Sequence, residues 1–141
     1  MYQVKLKNRN GPFPDYRQIP VLLWGKNVDF DSMGDCKYPA DRDWTELDVS
    51  LRPLLKEKVS IYKTDDLYVV ESSNQITAQT VALFLIEWSG CDIAEPDRSE
   101  FVRIRELLIN DHGFLDKWER ACESKWKYAT KEDPYPNEKS A

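Results

Sequence analysis

The pattern of hydrophobic and polar positions divides the chain into a first half of short extended segments and a second half of helices. Apolar and polar residues alternate over residues 2–7, the period of two that is typical of a strand with one buried face. The segment Gln75–Ser89 is apolar on most sides of a helix, which predicts a buried helix at the centre of the core. Ser73 or Asn74 can cap its start, and Gly90 can end it in a left-handed conformation.

Other segments of the first half are also typical of strands. The apolar stretch at 17–24 predicts a second strand, and Pro20 within it indicates a sheet edge or a bulge because proline cannot donate to a ladder. Residues 44–51 fit a strand or a helix, and their β-branched content favours the strand. Residues 59–62 and 67–70 predict a hairpin, while residues 25–43 are acidic and typical of a loop.

Two amphipathic helices are predicted after the central one, over residues 98–110 and 114–129. Asp97 and Glu100 have the spacing of a capping box at the start of the first. Residues 1–130 therefore form one domain, and 131–141 are expected to be a flexible polar tail. Because strands come first and helices later, the predicted fold class is α+β, an antiparallel sheet of about four to five strands packed on one face by about three helices.

Composition restricts the class of protein further. The chain has 141 residues, 41% of them hydrophobic, which suits a globular domain, and no apolar run reaches the roughly 20 residues that span a bilayer. The N-terminal residues have no hydrophobic region of a signal peptide. Three cysteines lie far apart, Cys36, Cys91 and Cys122, as in proteins of a reducing compartment, so we expect a cytoplasmic location.

Motifs of catalysis and metal binding are weak. Asp29–Asp35 begins like a calcium loop, but Met33 and Ala40 stand where oxygen ligands belong, so no metal is expected. The sequence has no nucleotide-binding glycine loop, and we expect no cofactor. His112 is the only histidine; it fits a helix end, and its role stays open together with those of the three cysteines. A hydrolase or nuclease that uses carboxylates, or a pair of His112 with Cys91 or Cys122, is an alternative.

Charge gives the best indication of function. The chain carries a net charge of −5, and its acidic excess lies in residues 25–48 and 87–100, which disfavours nucleic acid as a partner. Acids beside aromatic residues are typical of surfaces that bind basic proteins. We therefore expect a non-catalytic inhibitor of a basic protein, similar in type to bacterial toxin immunity proteins; a structural subunit of a phage or secretion assembly is a further alternative. The expected partner-binding residues are Asp29, Asp31, Asp35, Asp41, Asp43, Trp44, Asp92 and Glu95.

Overall fold

The fold is described from a computed structural model, in which residues 1–52 and 57–136 are placed. These residues form one antiparallel six-stranded sheet and four α-helices, which confirms the α+β class. Within the described ranges, no helix is both long and apolar enough to cross a membrane. The elements follow one another as β1 (Tyr2–Lys7), α1 (Gln18–Trp24), β2 (Phe30–Gly34), β3 (Glu46–Leu51), β4 (Lys58–Thr64), β5 (Leu67–Ser72), α2 (Gln75–Ser89), β6 (Asp92–Glu95), α3 (Arg98–Asp111), α4 (Phe114–Cys122) and a short 3-10 helix (Lys125–Tyr128).

The sheet has the strand order β2-β3-β4-β5-β1-β6, so β2 and β6 are its two edges. Helix α2 packs on β1, β4 and β5, α1 packs on β3, and α3 packs on β6. Since neighbouring strands pair Val4 with Val70 and Leu47 with Ile61, these buried side chains share the face that the helices cover. The alternate positions form the opposite face, called the open face here, which carries Gln3, Lys5, Glu46, Asp48, Tyr62 and Glu71.

Helix α2 is the centre of the core, as its sequence predicts. It begins and ends at the predicted residues, and the side chain of Asn74 accepts hydrogen bonds from the backbone N–H groups of Ile76 and Thr77. Gly90 ends the helix with φ of 74°, a left-handed conformation that favours glycine. Phe84, in the middle of the helix, is completely buried.

The predicted strand at 17–24 is wrong, because this segment is helix α1. A short apolar run does not distinguish a buried strand from a buried helix, and Pro20 does not mark a sheet edge here. Pro20 lies in the first turn of the helix, where its missing N–H has no intrahelical partner to lose. Strand β3 and the β4–β5 hairpin are confirmed, with ends within a few residues of those predicted.

Two strands were not predicted, and one helix is shorter than predicted. Residues 30–34 of the expected loop form β2, and residues 92–95 form β6; neither shows a clear alternation of apolar and polar residues. Helix α4 ends at Cys122, and the rest of the predicted helix contains a 3-10 turn. Of the predicted tail, Tyr135 has its ring 6.2 Å from that of Trp126, and residues 137–141 lie outside the described residues.

Candidate protein-binding surface

The open face of β2 and β3 carries the candidate surface. The register places Asp31 beside Ser50 and Met33 beside Asp48, so all four side chains share this face. Glu46 extends the same row on β3, and Asp29 directly precedes β2. We call the group Asp29, Asp31, Met33, Glu46 and Asp48 the acidic edge. Met33 is 75% exposed, which makes it an apolar side chain surrounded by carboxylates at the margin of the sheet.

The carboxylates of the acidic edge differ in whether a cation neutralises them. Asp31 forms an ion pair with Arg52, and the hydrogen bond from Arg52 lowers the pKa of the Asp31 carboxyl. Glu46 and Asp48 are exposed, and their carboxylates form no ion pair or hydrogen bond with any residue in the described ranges. These two side chains therefore present negative charge to the solvent that no ion pair neutralises within the described residues.

The backbone geometry shows which N–H and C=O groups of β2 are not directed toward β3. The Asp35 N–H donates to the Glu46 carbonyl at 3.2 Å, and the Arg52 N–H donates to the Asp29 carbonyl at 3.0 Å. Because hydrogen-bonded positions alternate along an antiparallel pair, Asp31 and Met33 also face β3 with their backbone groups. The intervening residues Phe30, Ser32 and Gly34 direct theirs away from the sheet. No group within residues 1–52 and 57–136 is seen to bond to them.

Asp35 has a structural role at the end of β2. Its carboxylate accepts hydrogen bonds from the Thr45 N–H at 2.9 Å, the Thr45 hydroxyl at 2.6 Å and the Glu46 N–H at 3.0 Å. Burial opposes ionisation of this carboxyl, but the hydrogen bonds outweigh it and the pKa of Asp35 lies below its ordinary value. The residue therefore fixes the connection between β2 and β3.

Asp41 and Trp44 lie inside the protein. Asp41 is 4% exposed and accepts hydrogen bonds from the backbone N–H groups of Lys37 and Asp43, so its carboxylate shapes the loop. Trp44 is 1% exposed, and its indole Nε1 donates to the Pro14 carbonyl at 3.1 Å. In this conformation neither side chain has a surface that a partner could contact, whereas Asp43 is exposed.

The second acidic segment lies at the other edge of the sheet. Asp92 pairs with Arg9, and Glu95 pairs with Lys5 at 3.2 Å, both on or next to β6. Strands lie about 4.8 Å apart, so the six-stranded sheet separates β6 from β2 by about 24 Å. The structure therefore does not bring the two acidic segments together, and only residues of the first segment contribute to the acidic edge.

Sequence reasoning missed Met33, Glu46 and Asp48 as surface residues. Glu46 and Asp48 alternate with the buried Leu47 and Val49, so the strand pattern could have placed both carboxylates on the solvent face. No comparable signal was available for Met33, because β2 itself was not recognised.

The histidine and cysteines of the catalytic alternative form no hydrogen bond with one another in the described residues. His112 is exposed at the end of α3, and its side chain makes no hydrogen bond or ion pair in the described part of the chain. A cavity of about 550 Å³ lies beside the β4–β5 turn, where Lys7, Lys63, Asp43 and Asp66 give it charges of both signs. It contains neither cysteine nor histidine. No group of three or more potential metal ligands is present in residues 1–52 and 57–136.

No protein family, curated protein or solved structure matches this chain. A functional proposal therefore depends on the surfaces described above.

Proposed function

We propose that the protein is a non-catalytic binding protein that captures a basic protein partner through the acidic edge and so neutralises it. The observation that carries this proposal is the pair of exposed carboxylates of Glu46 and Asp48, which form no ion pair within the described residues, beside the exposed Met33. The proposed relationship is of the type found between a toxin and the immunity protein that neutralises it. The free cysteines Cys36, Cys91 and Cys122 favour a reducing compartment such as the cytoplasm as its place of action.

The physical argument combines charge with an apolar contact. Negative potential accelerates the approach of a positively charged partner and disfavours acidic proteins at the same surface. Met33 adds an unbranched, polarizable side chain that adapts to an irregular apolar surface. Carboxylates alone would bind cations without much selectivity, whereas an apolar side chain among them favours a protein with both basic and apolar groups.

Of the expected partner-binding residues, Asp29 and Asp31 remain in this proposal. Asp35 holds the β2–β3 connection, and Asp41 and Trp44 are buried. Asp43, Asp92 and Glu95 lie apart from the acidic edge, so we do not include them in the proposed contact.

The proposal is tested by capture of a partner from a lysate of the source organism. The immobilised wild type is compared with Glu46→Lys/Asp48→Lys and with a control, Glu106→Lys/Asp111→Lys, which changes the net charge equally on the exposed side of α3. We expect the wild type and the control to retain a basic protein at about 0.05 M salt and to release it at about 0.5 M, where charges are screened. The acidic-edge variant should not retain it.

The captured protein is then purified, and its affinity is measured by titration calorimetry. Reversal of Glu46 and Asp48 should weaken binding by about tenfold or more and flatten its salt dependence. Equal affinity for the acidic-edge variant and the α3 control would contradict the proposal. So would a captured partner that is itself acidic.

A further inference from the structure

We propose that the partner docks by adding an extended basic segment to the free edge of β2, as a seventh strand of the sheet. This inference rests on the proposed function and specifies how the acidic edge is used. Strand addition obtains affinity from main-chain hydrogen bonds and selectivity from alternate side chains. Strand β2 offers both kinds of contact.

The main-chain contacts come from residues that point away from the sheet. Phe30, Ser32 and Gly34 direct their N–H and C=O groups outward, because the alternate residues of β2 are hydrogen-bonded to β3. An added strand would meet these groups in register. The protein therefore presents a preformed half of a β-ladder.

Within residues 1–52 and 57–136, β2 lacks most of the features that usually block pairing at an edge strand; its one charged side chain is that of Asp31. Natural proteins protect edge strands with lysine, proline or a covering element. The segment Phe30–Gly34 contains no lysine, arginine or proline, and residues 32–34 are exposed. The other edge is different, because α3 packs on β6.

Both faces of β2 have room for the side chains of an added strand. On the open face, a cavity of about 390 Å³ is lined by Asp31, Met33, Asp48 and Lys58, among others. On the helix face, a cavity of about 180 Å³ is lined by residues that include Tyr16 and Cys36. Since successive side chains of a strand point to opposite faces, an added segment would place alternate residues in each cavity.

Charge complementarity selects the chemistry of the occupant. Side chains on neighbouring strands lie about 5 Å apart, so a lysine or arginine of the added strand on the open face would approach the Asp31 carboxylate and share it with Arg52. A long cationic side chain at that position would also extend toward Asp48 on β3. The occupant is therefore an extended segment with basic residues at alternate positions.

A second copy of this chain fits the edge less well. Pairing of β2 with its counterpart in another copy would bring two acidic edges together in a protein with a net charge of −5. Like charges placed opposite one another on paired strands are destabilising. Pairing of β2 between two copies of the chain is therefore electrostatically unfavourable.

The experiment uses two fluorescent peptides of equal charge, one with four Lys-Val repeats and one with four Lys-Gly repeats, because glycine disfavours strands. Binding to the wild type, Ser32→Pro and Ser32→Ala is measured by anisotropy. Both variants lose the exposed Ser32 hydroxyl, but only proline removes the outward N–H. We expect the wild type and Ser32→Ala to bind the Lys-Val peptide alike, and Ser32→Pro to bind it about tenfold more weakly.

Amide hydrogen exchange is measured on the wild type, so this test does not depend on whether a variant folds. Addition of the Lys-Val peptide should slow exchange at Ser32 and Gly34, while Met33 is already protected by β3. Unchanged exchange at Ser32 and Gly34 would overturn strand addition, as would equal affinity for the two peptides or for Ser32→Pro and Ser32→Ala. Failure of the Lys-Val peptide to bind the wild type would overturn it too.

The outcomes separate this inference from the proposed function. Binding that is lost in Glu46→Lys/Asp48→Lys but unaffected by Ser32→Pro would reject strand addition and leave the acidic surface supported. A wild type that elutes as a dimer in size-exclusion chromatography, and becomes a monomer on Ser32→Pro, would identify a second copy as the occupant and overturn the inference.

Discussion

The guanidinium carbon of Arg17 lies 4.1 Å from the centre of the Trp126 ring. The same guanidinium donates hydrogen bonds of 2.8 and 2.6 Å to the carboxylate of Asp15. The side chains of this ion pair are only 5% and 0% exposed. The 3-10 helix, in the C-terminal part of the chain, therefore covers the buried Asp15–Arg17 pair in the N-terminal part.

Replacement of Arg17 should destabilise the protein strongly. Arg17→Met leaves the Asp15 carboxylate buried without a counter-charge, which costs about 3–5 kcal/mol. The double variant Asp15→Leu/Arg17→Met removes both charges and should recover much of the loss. Urea denaturation of the two variants gives the measurement. A single variant no less stable than the double one would contradict a coupled buried pair.

Two thiols should make the protein sensitive to alkaline pH. Burial raises the pKa of Cys36 from 9.0 to about 11, aided by the carboxylates of Asp41 and Asp35, and burial also raises that of Cys91 from 9.0 to about 11. Between these values the unfolded thiols have lost protons that the folded protein retains, so the free energy of unfolding should fall as pH rises from 9.0 to about 11.

Urea denaturation at several pH values measures this slope. The variant Cys36→Ala/Cys91→Ala serves as the comparison, because its other titrating groups are the same. Its free energy of unfolding should decline less steeply over the same range. Parallel slopes in the variant and the wild type would show that these thiols do not cause the alkaline loss.

Asp35 and Asp29 should respond differently to truncation. Asp35→Ala leaves the N–H groups of Thr45 and Glu46 without their acceptor, and we expect a loss of about 1–2 kcal/mol. Asp29→Ala, at an exposed side chain, should change stability by less than about 0.5 kcal/mol. Thermal and urea denaturation compare the two, and equal losses would mean that Asp35 does not hold the strand connection.

The pH dependence of Asp35 has a defined sign. Because the folded pKa of its carboxyl lies below the ordinary 3.8, its contribution to stability is complete above that pH and is lost as pH falls further. The stability difference between the wild type and Asp35→Ala should therefore shrink in acid. A difference that stays constant on acidification would contradict this.

The sequence predicts an element of the fold correctly where its local signals, such as caps and apolar positions, agree with the burial of that element. Helix α2 has a capping residue, an apolar middle and a terminal glycine, and these three signals place both of its ends correctly. Helix α1 is not predictable in the same way, because seven residues are too few for the helical period to show. Strand β2 was missed because residues 32–34 are exposed on either face of the sheet, so burial imposed no alternation on them.

The candidate site was predictable only in part. Counting charge identified the acidic region, including Asp29 and Asp31, but composition does not say which way a carboxylate points. Asp41 and Trp44 are close in sequence to exposed residues, yet the tertiary fold buries both. The free edge of β2 follows from strand order, which depends on contacts between distant segments and has no local signature.

Arg42 donates hydrogen bonds to the carbonyls of Lys127 and Ala129, residues that follow it by 85 and 87 positions. During translation, this side chain emerges from the ribosome long before the groups that it holds. We expect the nascent chain to remain open around the Asp15–Arg17 pair until residues 125–129 have been synthesised. A stalled ribosome that displays the chain only as far as α4 should therefore carry a protease-sensitive intermediate.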